Sequence, residues 1–175
     1  GISFNIIMPG IWVSLYMLTV FATVMVLAKM WEIRSKISII AISALLAVNP
    51  AVIEQSLLQY MFLAWGVSNL LSVLFIYLIL RCKNKLLKYF FPPILMAIAF
   101  GLYQVSVGTI CMCLAITVIL DILSGDDLKD IAAKIFRFIF SSLISLLLYF
   151  VILNYELNHY VVAESGRVQA FSFSD

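Results

Sequence analysis

The sequence predicts an all-α integral membrane protein of about six transmembrane helices, two of them short or re-entrant, on three observations. The first is composition: of 175 residues, 65% are hydrophobic and 11% charged, and the mean hydropathy is +1.13. Soluble domains hold roughly 45–50% apolar and about 25% charged residues, and a water-soluble core of this size would leave too little polar surface to cover it. The second is the pattern. Long, nearly continuous apolar runs such as LLSVLFIYLIL at 70–80 lack the alternation over about ten residues that marks a membrane barrel strand. Backbone polar groups in lipid must be satisfied within the segment, so these runs are helices. The third is the placing of Lys and Arg, which sit in every second connection.

Taken in order, the first span covers about 11–28 and is closed by Lys29, Trp31, Glu32, Arg34 and Lys36. The second covers about 37–53. Its clean apolar part stops at Asn49-Pro50, after about 12 residues or roughly 18 Å, short of a hydrocarbon core of about 30 Å. Asn49 precedes a proline, which disfavours helical backbone there. The third span, about 60–80, has full length and a basic stop at Arg81, Lys83, Lys85 and Lys88. The tract that follows is too long for one span and short for two. Pro92-Pro93 suits a helix start, and Gly101-Leu102-Tyr103-Gln104 interrupts it, giving a short element at about 90–102 and a full span at about 105–123. In the SGDDLKD loop, Ser124 and Asp127 fit a capping box, with Asp126 and Asp127 at a positive helix end. The last span covers about 135–153, and 154–175 forms an extracytoplasmic polar segment. Gly1 in first position and the ending FSFSD read as an excerpt of a longer chain.

Counting Lys and Arg, residues 29–36 carry three, 81–88 four and 129–137 three, whereas 49–59 and 101–104 carry none and the tail has only Arg167. Cytoplasmic loops concentrate these residues. The basic connections are therefore expected to face the cytoplasm, with both ends of the chain outside.

The two short elements both end, on the non-cytoplasmic side, in polar residues beside aromatic ones: Glu54, Gln55 and Tyr60 after the first, Tyr103 and Gln104 in the second. Irregular backbone at membrane depth is tolerated where it packs in protein or lines a cavity, and paired interrupted segments can mark a binding site. An ordinary interfacial loop with belt tyrosines and a solvated glutamate would carry the same residues. Asn69 reads as a helix-to-helix hydrogen-bonding group and Ser141, Ser142 and Ser145 as a small-residue packing face; Asp121 reads as reaching the cytoplasmic interface. Cys82, Cys111 and Cys113 read as free thiols, and with His159 the only histidine no metal site is expected. No cofactor is expected. There is no P-loop, GxSxG or HExxH motif, and the dispersed basic residues speak against nucleic acid.

The segment NPAVIEQSLLQYMFLAW, followed by a full span, and IAFGLYQVSVGTICMCLAITVILDIL with its Tyr-Gln pair, followed by a charged loop and another span, resemble the polytopic serotype-converting O-antigen glucosyltransferases, the type II glucosyltransferase membrane family. The resemblance covers most of 37–153. It implies glucose transfer from a polyprenyl-phosphate-linked donor to O-antigen on the periplasmic face of the bacterial inner membrane. It also implies that acidic catalytic residues lie in an early outward loop. The chain opens directly into its first span, so no catalytic residue is assigned, and the residues present are expected to form the membrane scaffold and part of a substrate groove. The competing expectation is a multi-pass transporter or flippase for a small solute or lipid-linked sugar. A faint repeat favours it, because a short element precedes a long one twice, although no charge sits in the middle of any span.

Overall fold

The computed structural model describes residues 9–47, 61–82, 84–104 and 106–159, all of whose regular structure is helical. Seven helices follow in order: α1 (Pro9–Met30), α2 (Lys36–Ala47), α3 (Met61–Arg81), α4 (Lys85–Tyr89), α5 (Phe91–Leu102), α6 (Ser106–Leu123) and α7 (Leu128–His159). Four of them, α1, α3, α6 and α7, are long and apolar enough to cross a membrane. At 1.5 Å per residue, α2 and α5 reach only about 18 Å each. The protein is an all-α membrane protein, with two short apolar helices among the long ones.

Local chemistry explains where helices start and stop. Glu32 takes a left-handed backbone (φ 55°) after α1, and the Ile33 amide reaches back to the Ala28 carbonyl at 2.9 Å. That is the six-to-one bond of a left-handed helix end, seldom built on a residue with a Cβ. Ser35 then starts α2, its Oγ accepting from the Ser38 amide at 3.4 Å. α5 carries Pro92 and Pro93 in its first turn, where their missing N–H groups cost nothing.

The α6–α7 corner differs from the sequence expectation. Gly125 adopts φ 78°, and the amides of Gly125 and Asp126 bond the carbonyls of Ile122 and Asp121. This Schellman turn ends α6 at Ser124, whose hydroxyl bonds back to Leu120 at 2.7 Å. Asp127 alone caps α7: its Oδ1 accepts from the Lys129 amide and its carbonyl from Asp130 and Ile131. The capping box expected of Ser124 and Asp127 is therefore not formed. α7 starts at Leu128, ahead of the last span as the helical spacing of Leu128, Ile131 and Ile135 leads one to expect, and runs unbroken to His159; α4 is an additional short helix inside the basic 81–88 segment.

α3 is the central helix, packed most extensively on α1 and α5, then on α6 and α7. Contacts in register set the directions. Tyr16 meets Trp65 (ring centroids 5.7 Å apart) and Lys29 lies 5.5 Å from the Tyr77 ring, so α1 runs parallel to α3. Thr109 bonds Asn69 and Arg81 reaches Asp121, so α6 does too. Phe75 meets Phe138, while Tyr149 meets Phe100, whose neighbour Ala99 accepts a bond from Ser68; α5 and α7 run antiparallel to α3. The basic residues of all three connections thereby gather at one end of the bundle.

Two apolar clusters hold the helices together, one around Phe75, Ile76, Ile79, Phe100 and Ile110 and one around Tyr16, Val20, Val24 and Trp65. In lipid the gain is van der Waals fit and interhelical hydrogen bonding rather than removal of apolar surface from water. Outward-facing Leu18, Phe21, Ile119, Leu147 and Val151 accordingly remain exposed. In water such a surface would be a large sticky patch; here it is the lipid-facing side.

Candidate functional site

At the end of the bundle opposite the basic connections, α5 stops at Leu102. The Tyr103 backbone turns extended (φ −161°, ψ 111°), with its amide still bonded to the Ala99 carbonyl. Ser68, fully buried on α3, anchors this exit by donating to the carbonyls of Ala99 (2.9 Å) and Tyr103 (3.4 Å). The two side chains expected to act together diverge. Tyr103 is half-buried against the Tyr16–Trp65 cluster, while Gln104 is exposed and its Nε2 donates to the Tyr149 hydroxyl at 3.5 Å. Glu54, Gln55 and Tyr60 lie outside the described residues.

Below this turn a cavity of about 340 Å³ opens between α1, α2, α3 and α6, within the ordinary size range of ligand sites, roughly 300–1,000 Å³. Its wall is mainly apolar, with Leu27, Leu46, Val73 and Met112, and it runs from Trp65 near the Tyr103 turn to Trp31 toward the basic end. Polar groups are few and mostly satisfied. Thr23 bonds the Thr19 carbonyl at 2.7 Å, and Trp31 Nε1 donates to Thr117 Oγ1 at 3.0 Å, tying α1 to α6. Asn69 Oδ1 accepts from Thr109 Oγ1 at 2.8 Å, and both residues line the cavity. Asn69 is thus the helix-to-helix group expected of it, and it also lines the cavity, a role the sequence does not signal. Replacing Asn69 with Leu should cost about 0.6–1.7 kcal/mol, the size of an interhelical bond in lipid. The Thr109→Val change should cost nearly the same and the double variant little more, as read by unfolding in mixed micelles.

The basic end holds the strongest electrostatics. Asp121, expected at the interface, is instead buried, 4% exposed. Its Oδ2 lies 2.7 Å from Lys134 Nζ and its Oδ1 3.8 Å from Arg81; Lys134 also reaches Asp126 at 3.2 Å. Burying a charge without a partner is costly, and the Schellman turn folds α7 back so that Lys134 arrives beside Asp121. Ser145 bonds the Ser141 carbonyl, and both pack as the small-residue face of α7. Cys113 is buried and Cys111 exposed, both free. Among the described residues no group of three His, Cys, Asp or Glu could hold a metal.

Comparison with curated proteins finds none that matches, and comparison with solved structures finds none. Residues 3–172 match the family described as glucosyl transferase GtrII, nearly the whole chain and every helix above. On that extent of match, the chain belongs to the glucosyl transferase GtrII family.

Proposed function

We propose that this chain forms the membrane part of a glucosyltransferase that takes glucose from a polyprenyl-phosphate-linked donor and adds it to O-antigen on the periplasmic face of the bacterial inner membrane. The observation that carries the reading is the cavity between α1, α2, α3 and α6, set in a member of a glucosyl transferase family. A long-chain donor must keep its hydrocarbon tail in lipid while its sugar reaches water, and an apolar slot beside a shortened helix suits the tail. The end with Tyr103 and Gln104 is the outer one if the basic connections face the cytoplasm. There Gln104, with Glu54, Gln55, Tyr60 and Tyr103, supplies hydrogen-bonding and stacking groups for sugars. The catalytic carboxylates are not assigned to any of these residues.

The test is a glucosyl-transfer assay on the full-length enzyme with lipid-linked donor. Gln104→Ala should lower kcat/KM about two- to tenfold, as loss of an uncharged hydrogen bond does, and Glu54→Gln about ten- to a hundredfold. Unchanged transfer in both variants would remove this site. One observation favours transport instead: the short-then-long pairs α2–α3 and α5–α6 have the same order and α3 and α6 run parallel, as in a parallel repeat. Movement of a lipid-linked sugar across vesicles without any glucosyl transfer would decide for that reading.

A further inference from the structure

A second cavity, of about 290 Å³, lies at the basic end between the inner turn of α3, α4 and α7. Two cations, Lys88 and Arg137, face it, and the rest of its wall is mainly apolar, with Tyr89, Phe140 and Ile144. Among the described residues neither cation is in an ion pair. The nearby carboxylates are already engaged, Asp121 with Lys134 and Arg81, Asp126 with Lys134. Arg137 spends only its Nε, on the Ala133 carbonyl at 3.0 Å. Partial burial and then the Arg137 charge push the Lys88 ammonium below its usual range, with Lys134 adding to the repulsion. Unpaired like charges sharing an apolar recess are unfavourable unless an anion joins them.

An independent observation lies one helical turn deeper on α7. Ser141 lines the same cavity, is 7% exposed, and its hydroxyl has no hydrogen-bond partner. Ser145 satisfies itself on a backbone carbonyl, and of the other partnerless hydroxyls among the described residues, those of Ser106 and Ser142, neither lines this cavity. Along α7 the cavity therefore meets Arg137 first, then the unsatisfied Ser141 hydroxyl one turn on, then Ile144, with Lys88 opposite and Ile79, Tyr89, Phe136 and Phe140 around them. A phosphodiester, an ester carbonyl and an acyl chain follow one another in the same order in a glycerophospholipid.

We infer that this recess binds one anionic phospholipid of the leaflet at the basic end, its phosphate held by Lys88 and Arg137 and its ester by Ser141. The guanidinium supplies a planar fork of donors and the ammonium a point charge, the usual pairing on phosphate. Basic groups beside the membrane gain further from the negative potential of anionic headgroups. The site is at the opposite end from the Tyr103–Gln104 turn and independent of the transfer reaction.

The experiment follows thermal unfolding of the purified protein in neutral detergent while dioctanoyl-phosphatidylglycerol is added, with dioctanoyl-phosphatidylcholine, inorganic phosphate and a short-chain polyprenyl phosphate as separate arms. Phosphatidylglycerol should raise the Tm saturably, and phosphatidylcholine should not at the same concentration. The K88Q/R137Q double variant should shift half-saturation upward about tenfold or more, as charge-assisted bonds are lost, while K129Q, a basic-end residue outside the recess, should shift it less than twofold. S141A should weaken the lipid effect a few-fold yet leave the lipid-free Tm unchanged or raised, because the orphan hydroxyl is gone. Equal response to phosphatidylcholine, or an equal loss in K129Q, overturns the site. Saturation by inorganic phosphate at the same concentration, or tighter binding of polyprenyl phosphate, overturns the phospholipid as its occupant.

Discussion

Replacing Asp121 with Ala is expected to destabilise the protein by about 3 kcal/mol, toward the lower end of the 3–5 kcal/mol typical when one partner of a buried pair is removed. The pair is short (2.7 Å) and both side chains are shielded, Asp121 at 5% and Lys134 at 17% exposed. In the variant Lys134 keeps Asp126, itself 42% exposed, and its long stem can carry the ammonium to the interface; this is why the lower end applies. Arg81, at 3.8 Å and 37% exposed, adds little, as solvated pairs do. The reverse change, Lys134→Met, should cost at least as much, because Asp121 is short and cannot follow. Making both positions apolar, Asp121→Leu with Lys134→Met, should recover most of the loss, since a buried pair replaced by apolar residues of similar size is often close to neutral. Reversible unfolding in mixed micelles, with helix content as the signal, measures all three. A double variant no more stable than either single one would show that the charges contribute through something other than each other.

The burial of Asp121 is not written in its own segment. Its position near the end of VILDIL is equally compatible with a side chain reaching out and with one turned inward. What decides is the partner thirteen residues on, brought back by a turn that depends on Gly125 at φ 78°. Both Ser124 and Asp127 had the chemistry for a capping box, and only the Schellman bonds show that Ser124 belongs to the end of α6. By contrast, features set by the membrane or by local backbone chemistry were legible. Pro92-Pro93 opens α5, the break at 103–104 separates two helices, and Asn69, a lone amide in an apolar helix, finds a neighbour in Thr109. The cavity beside Asn69 was not legible, because it is a gap between four helices and no single segment records it. Nor was α4, five residues inside a charged connection, where Asn84 in the N-cap position is too little to mark so short a helix. The divergence of Tyr103 and Gln104 has the same origin: the chain turns at Gln104 directly after the extended Tyr103, and which neighbour each meets is a tertiary matter.

Gly66 has the largest expected packing effect. Nothing in MFLAWGVSNLL distinguishes it from a small filler, yet it is where α1 lies against α3. A Cβ there would overlap Thr19 Oγ1 and come within 3.0 Å of Tyr16 Cδ2. Neither neighbour can yield easily. The Thr19 hydroxyl is held on the Tyr16 carbonyl at 2.7 Å, and the Tyr16 ring is fully buried, stacked at a tilt on Trp65, with its own hydroxyl on the Leu46 carbonyl at 3.2 Å. Small residues at helix crossings are what allow close backbone approach in membranes, where packing supplies the association energy. Gly66→Ala is therefore expected to cost about 1–3 kcal/mol by overpacking, more than cancelling the gain of up to about 1 kcal/mol from helix propensity. Gly66→Leu should separate α1 from α3, and with it open the wall of the cavity that Trp65, Thr23 and Leu27 share. Gly108 on α6 is the control, since a Cβ there meets nothing within 4 Å; Gly108→Ala should be neutral or stabilising by up to about 1 kcal/mol. Removing the obstruction tests the cause. Thr19→Ala combined with Gly66→Ala should be more stable than the sum of the single effects predicts, a coupling of about 0.5–3 kcal/mol between residues in contact. Strict additivity would mean that the close approach of α1 and α3 at Gly66 is not what the alanine disturbs.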